Sequence, residues 1–116
     1  MSYDLGFWKV KPGVKLEAQE VYEKLCRGER VEGLEEPPIE EIIERIHKAF
    51  AVGWTRLDHW TWEAPKKSFQ VFTTPQFFHL NCGGMTGQEM NVFVEIGLEF
   101  DCFLYDPQTG IRYEGI

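Results

Sequence analysis

The stretch from Trp54 to Cys82 leaves this chain few ways to fold. It holds three runs of strand character: one within Trp54–Glu63, one about Ser68–Thr73 and one about Gln76–Cys82. Only Ala64-Pro65-Lys66-Lys67 and Thr74-Pro75 separate them. A parallel neighbour needs a crossover of about a dozen residues or more, so connections this short dictate antiparallel pairing. In the last run Phe78, Leu80 and Cys82 alternate with Phe77, His79 and Asn81, which gives it two distinct faces.

The flanking segments supply the remaining layers. Tyr3–Val10 reads as a strand with Tyr3, Leu5 and Phe7 on one face and Asp4, Gly6, Trp8 and Val10 on the other. Aromatics on both faces predict a central position. Leu16–Arg27 reads as a helix through the stripe Ala18, Val21, Tyr22, Leu25 and Cys26, with Gly28 suited to the left-handed cap. Pro37-Pro38 opens a second helix that buries Ile39, Ile42, Ile43, Ile46 and Phe50. On its outer side Glu41–Arg45 and Glu44–Lys48 have the spacing of i,i+4 ion pairs. Thr86 and Glu89 have capping-box spacing ahead of a third helix over Gly87–Phe100. Cys102–Tyr105 is a last strand, and Ile111-Arg112-Tyr113 can pair back across the turn at Asp106–Gly110. The expected fold is α+β: a single-layer, mainly antiparallel sheet of about five strands, with three helices packed mainly on one face.

A length of 116 residues predicts a single globular domain over 1–116, with 43% hydrophobic and 27% charged residues as in ordinary globular chains. Cys26, Cys82 and Cys102 form no C-x-x-C pair, so a zinc ribbon or redox dithiol is not expected and a reducing compartment is. The start Met1-Ser2-Tyr3-Asp4 lacks the pattern of a secretory leader, and no apolar run is long enough to span a bilayer. The expectation is a cytoplasmic protein that engages no membrane.

Charge is distributed unevenly. Glu17–Glu44 holds ten acidic residues and three basic ones, which accounts for the whole net charge of −7. The other nine acids and nine bases cancel. Phosphate contact needs clustered Lys and Arg, so nucleic acid is not an expected partner. An acidic sector on a neutral body suits a basic protein surface. The candidate binding glutamates are Glu17, Glu20, Glu23, Glu40, Glu41 and Glu44.

The run Trp54-Thr55-Arg56-Leu57-Asp58-His59-Trp60-Thr61-Trp62 is a second candidate surface. If it is extended throughout, Trp54, Arg56, Asp58, Trp60 and Trp62 share one face. Trp and Arg are the residue types most enriched at binding hot spots. The competing reading packs these indoles under the helices. Charge at Arg56 and Asp58 on the same face argues for a partly open one, with at least one indole accessible.

Catalytic signals are thin. His59 could join Glu63, His79 and Cys82 as metal ligands, but neither H-x-H nor H-E-x-x-H occurs. Cys82 could serve as a nucleophile with His79 or His59 as base, yet it alternates with Phe78 and Leu80, which favours burial. Gly83-Gly84-Met85-Thr86-Gly87 could cradle an anion at a helix start, or simply make a tight connection. The expectation is a non-enzyme with no cofactor and no metal. The alternatives are a small-molecule-binding module with an aromatic pocket, or a minor enzyme using His59, His79 or Cys82.

The opening Met1-Ser2-Tyr3-Asp4-Leu5-Gly6-Phe7-Trp8 and the closing Leu104-Tyr105-Asp106-Pro107-Gln108-Thr109-Gly110 together resemble small bacterial proteins of the immunity type found in polymorphic-toxin and contact-dependent inhibition systems. The resemblance covers the two ends and the general layout. It implies a cytosolic inhibitor that binds and neutralises one cognate toxin domain, and it assigns no functional residue. The acidic sector makes a basic toxin domain the expected partner.

Overall fold

The structure is a computed structural model that describes residues 2–113. The elements run β1 Ser2–Trp8, α1 Ala18–Cys26, α2 Ile39–Ala49, β2 Thr55–Asp58, β3 Thr61–Ala64, β4 Lys67–Thr74, β5 Phe77–Gly83, α3 Gly87–Glu99, β6 Phe103–Asp106 and β7 Ile111–Arg112. The fold is α+β. The seven strands of the described residues form one open antiparallel sheet in the order β2-β3-β4-β5-β1-β6-β7.

Seven strands replace the expected five or so for two reasons. The run Trp54–Glu63 is not one strand. It reverses at His59-Trp60, where the Asp58 carboxylate accepts the Trp60 backbone N–H at 2.8 Å and β2 folds back on β3. Beyond β6, Asp106 holds the following turn by accepting from the Gln108 backbone N–H at 2.9 Å, and β7 pairs with β6. A bulge between Arg56 and Asp58 interrupts the β2 ladder, and β2 and β7 are the two edges.

Successive residues of a strand point to opposite sides of the sheet, so β1 seeds two cores. Phe7 stacks on Phe78 with ring centroids 4.6 Å apart, in a cluster with Ile42, Ile43 and Ile46 of α2 and Phe93 and Ile96 of α3. Trp8 faces the other way, against Phe77 and Tyr105, with Val21 and Leu25 of α1 and with Val31 and Leu34. Thus α2 and α3 share one face while α1 takes the other. β1 lies between β5 and β6, the central place that aromatics on both its faces require.

Glycine sets how closely each layer approaches. A Cβ on Gly97 of α3 would sit 2.5 Å from the Cys102 carbonyl oxygen and 2.8 Å from Phe7 Cδ1. On the other side a Cβ on Gly6 would meet Tyr22 of α1 at 3.0 Å.

The caps follow the sequence. Thr86 Oγ1 accepts from the Glu89 N–H at 3.1 Å, and Glu89 Oε1 accepts from the Thr86 N–H at 2.9 Å, a complete capping box for α3. The i,i+4 pairs expected on α2 do not form. Arg45 instead makes a bidentate bond to Glu99 of α3, at 2.9 and 2.8 Å, and Glu44 accepts from Arg56 of β2. A two-pronged guanidinium–carboxylate contact between packed helices wins over a single exposed neighbour on the same helix.

Candidate partner-binding edge

The acidic sector is continuous in sequence but divided in space. Glu17, Glu20 and Glu23 are exposed on α1, and Glu40, Glu41 and Glu44 are exposed on α2, across the sheet from one another. Glu17 is partly engaged as the α1 cap, where its carboxylate accepts the Glu20 N–H at 2.9 Å. No single surface carries all six carboxylates. The sequence gives no signal for which sheet face a helix takes, and this is what the charge count missed.

The α2 glutamates meet the Trp-containing hairpin. Arg56 leaves β2 toward α2, and its Nη1 donates to Glu44 Oε2 at 3.3 Å. The same guanidinium donates to the carbonyls of Asp58 and His59 at 3.2 Å each, and it lies 4.7 Å from the centre of the Trp62 ring. Its Nη2 also reaches His59 Nδ1 at 3.3 Å, while His59 Nε2 stands 3.1 Å from Glu40 Oε1. An imidazole that accepts from Arg56 at Nδ1 carries its proton at Nε2, where it donates to Glu40. Glu41 has no ion-pair partner among the described residues.

The candidate indoles separate into three environments. Trp62 is fully buried, stacked on Phe69 at 5.0 Å, and its Nε1–H donates to His47 Nδ1 at 3.2 Å. Trp54 lies outside β2 and is half-buried against Phe50 and Phe69, with Lys67 Nζ 5.2 Å above it. Trp60, in the hairpin turn, is 40% exposed and meets His59 edge-on at 4.5 Å. The five residues Trp54, Arg56, Asp58, Trp60 and Trp62 therefore do not line one extended face, because the reversal at His59-Trp60 breaks the alternation. In the same hairpin Leu57 is 53% exposed at the β2 bulge.

The residues weighed for chemistry do not converge. His59 lies in the hairpin turn on the α2 side, while His79 packs against Tyr22 of α1 on the opposite face. Cys82 is in the core beneath α2 and α3, and burial pushes its thiol up to about 12. His79 and Cys82 are three residues apart on one strand, so they point to opposite faces and cannot act as base and nucleophile together. Among the described residues no three His, Cys, Asp or Glu side chains come together as a metal-ligating group. Ahead of α3 Gly84 serves the turn: its φ is +69°, and a Cβ there would strike the Lys66 carbonyl oxygen.

Among the described residues no helix is long and apolar enough to cross a membrane. No protein-family model, no curated protein and no solved structure matches this chain.

Proposed function

We propose that this protein is a cytosolic interaction protein of the immunity type, which binds and inhibits a basic toxin domain through the edge formed by α2 and the β2–β3 hairpin. One observation carries the reading. At this edge the exposed glutamates Glu40 and Glu44 contact His59 and Arg56 of the same hairpin that exposes Leu57 and Trp60. Carboxylates steer a basic partner and fix its register, while an indole supplies desolvated contact area. Three free thiols suit the reducing cytoplasm that the proposal requires.

The test uses the protein encoded next to this gene as the first candidate partner. Co-expression should relieve any growth arrest that protein causes, and the purified pair should associate in titration calorimetry. Trp60→Ala should weaken binding by about 2 kcal/mol or more, as a hot spot does. Glu41→Lys should slow association without unfolding the protein. Binding indifferent to both changes would move the interface elsewhere, and absence of any complex would remove the inhibitor reading.

A further inference from the structure

On the sheet face opposite that edge, α1 packs over β1, β5 and β6, and Gln70 and Phe72 of β4 remain exposed. A cavity of about 310 Å³ opens there, lined by Cys26, Gln70, Val71, Phe72, His79 and Asn81. Its volume is at the small end for ligand pockets, and its walls combine an aromatic platform with a few polar groups. Phe72 is 44% exposed, its ring edge-on to Phe77. Among the described residues no Lys or Arg lines the cavity.

The polar groups are oriented from behind by Asp4 of β1. Asp4 Oδ1 accepts from Asn81 Nδ2 at 2.8 Å and stands 3.2 Å from His79 Nε2. Burial lowers the His79 pKa from its ordinary value, against the pull of the Asp4 charge, so the ring is neutral at pH 7 and gives Asp4 its Nε2–H. That bond leaves Nδ1 as an acceptor, and the bond from Nδ2 leaves the Asn81 Oδ1 as another. Among the described residues Asp4 has no Lys or Arg partner. Its charge is therefore not neutralised, and its field reaches the neighbouring helix. Burial raises the Tyr22 phenol and the Cys26 thiol, and Asp4 adds to both shifts.

Two acceptor atoms, an exposed aromatic ring and a carboxylate behind them without a Lys or Arg partner call for a planar cation rich in N–H donors. We propose that this cavity binds a guanidinium group, stacked on Phe72 and donating to His79 and Asn81, with Asp4 supplying the countercharge through them. A guanidinium offers five N–H donors in a plane and stacks on aromatic faces, whereas an ammonium is a compact, strongly hydrated point charge. The site is separate from the α2 edge, and its test does not depend on any partner of that edge.

The experiment titrates the intact protein with Nα-acetyl-arginine amide, followed by NMR of the Gln70 and Asn81 side-chain amides. Nα-acetyl-citrulline amide, of the same shape without the charge, is the control. Saturable shifts with the arginine compound are expected, and binding of the citrulline compound should be about tenfold weaker or more, as for loss of a charge-assisted bond. Phe72→Leu should weaken binding about threefold, the order of an exposed cation–π contact. Asp4→Asn keeps an acceptor oxygen and should weaken it more, with unchanged thermal unfolding as the check on folding. Agmatine and a serine-arginine-serine peptide separate the two sources: tighter binding of agmatine indicates a free small molecule, and tighter binding of the peptide indicates an arginine side chain of a partner. No saturable shift, equal binding of the citrulline compound, or full affinity in a folded Asp4→Asn protein would overturn the proposal.

Discussion

The guanidinium of Arg56 lies 4.7 Å from the centre of the Trp62 ring and closes the outer side of an indole that is otherwise fully buried. It also ties the hairpin to Glu44 of α2. Arg56→Ala should therefore destabilise the protein by about 1–2 kcal/mol, the scale of a partly desolvated cation–π contact. Urea unfolding measures this. A change within error would mean that Trp62 is held by Phe69 and His47 alone.

Ile46 of α2 is completely buried between α2 and the sheet. Ile46→Ala should cost about 2–5 kcal/mol in denaturant unfolding. Val94→Ala should cost less, because Val94 is only partly buried against the same cluster.

Gly97 sets helix propensity against packing. Alanine is favoured over glycine in a helix by about 1 kcal/mol. At this position its methyl would lie 2.5 Å from a carbonyl oxygen and 2.8 Å from Phe7. Overpacking of a tight core costs about 1–3 kcal/mol, so Gly97→Ala should be net destabilising. Gly87, where an added Cβ meets nothing within 4 Å, is the control and should tolerate alanine. A stabilised Gly97→Ala protein would show that α3 can move outward at little cost.

Much of this arrangement is legible in the sequence. The capping box at Thr86 and Glu89, the apolar stripe of α2 and the antiparallel β3–β4–β5 succession all rest on local patterns, and all three are present. The break at His59-Trp60 was missed because it contains no Gly, Pro or Asn. Its signal was Asp58, whose side chain caps the Trp60 N–H two residues on. The side of the sheet taken by α1 and the meeting of Asp4 with His79 and Asn81 depend on tertiary placement and strand register, which no local pattern encodes.

Thiol labelling should separate the three cysteines. Burial pushes Cys82 and Cys102 up to about 12, whereas Cys26 is exposed on α1. At pH 8 the native protein should take up one equivalent of iodoacetamide, slowly and at Cys26, and the other two thiols should react only on unfolding. Rapid native labelling of Cys82 would contradict the packing beneath α2 and α3.

Acidification should weaken the fold through His79, which is faced by Asp4 of β1, by Phe77 of its own strand and by Tyr22 of α1. Burial lowers its folded pKa below the ordinary value, so the unfolded chain takes up the proton first. His79 therefore favours folding less as pH falls below about 6.5 and down to its folded pKa. A His79→Gln protein should show a shallower loss of stability across that window. An identical slope would mean that other groups govern the acid limb.

Because α1 and α2 lie across the sheet from one another, each face carries its own exposed glutamates. Two copies meeting face to face then oppose like charge whichever sides they present, and repulsion disfavours stacking. The edges lack that protection, since among the described residues β2 and β7 each have a neighbouring strand on one side only. One edge is short and bulged and the other is two residues long, so neither offers a long flat template for another strand. Electrostatics guards the faces against self-association, and irregular backbone guards the rims.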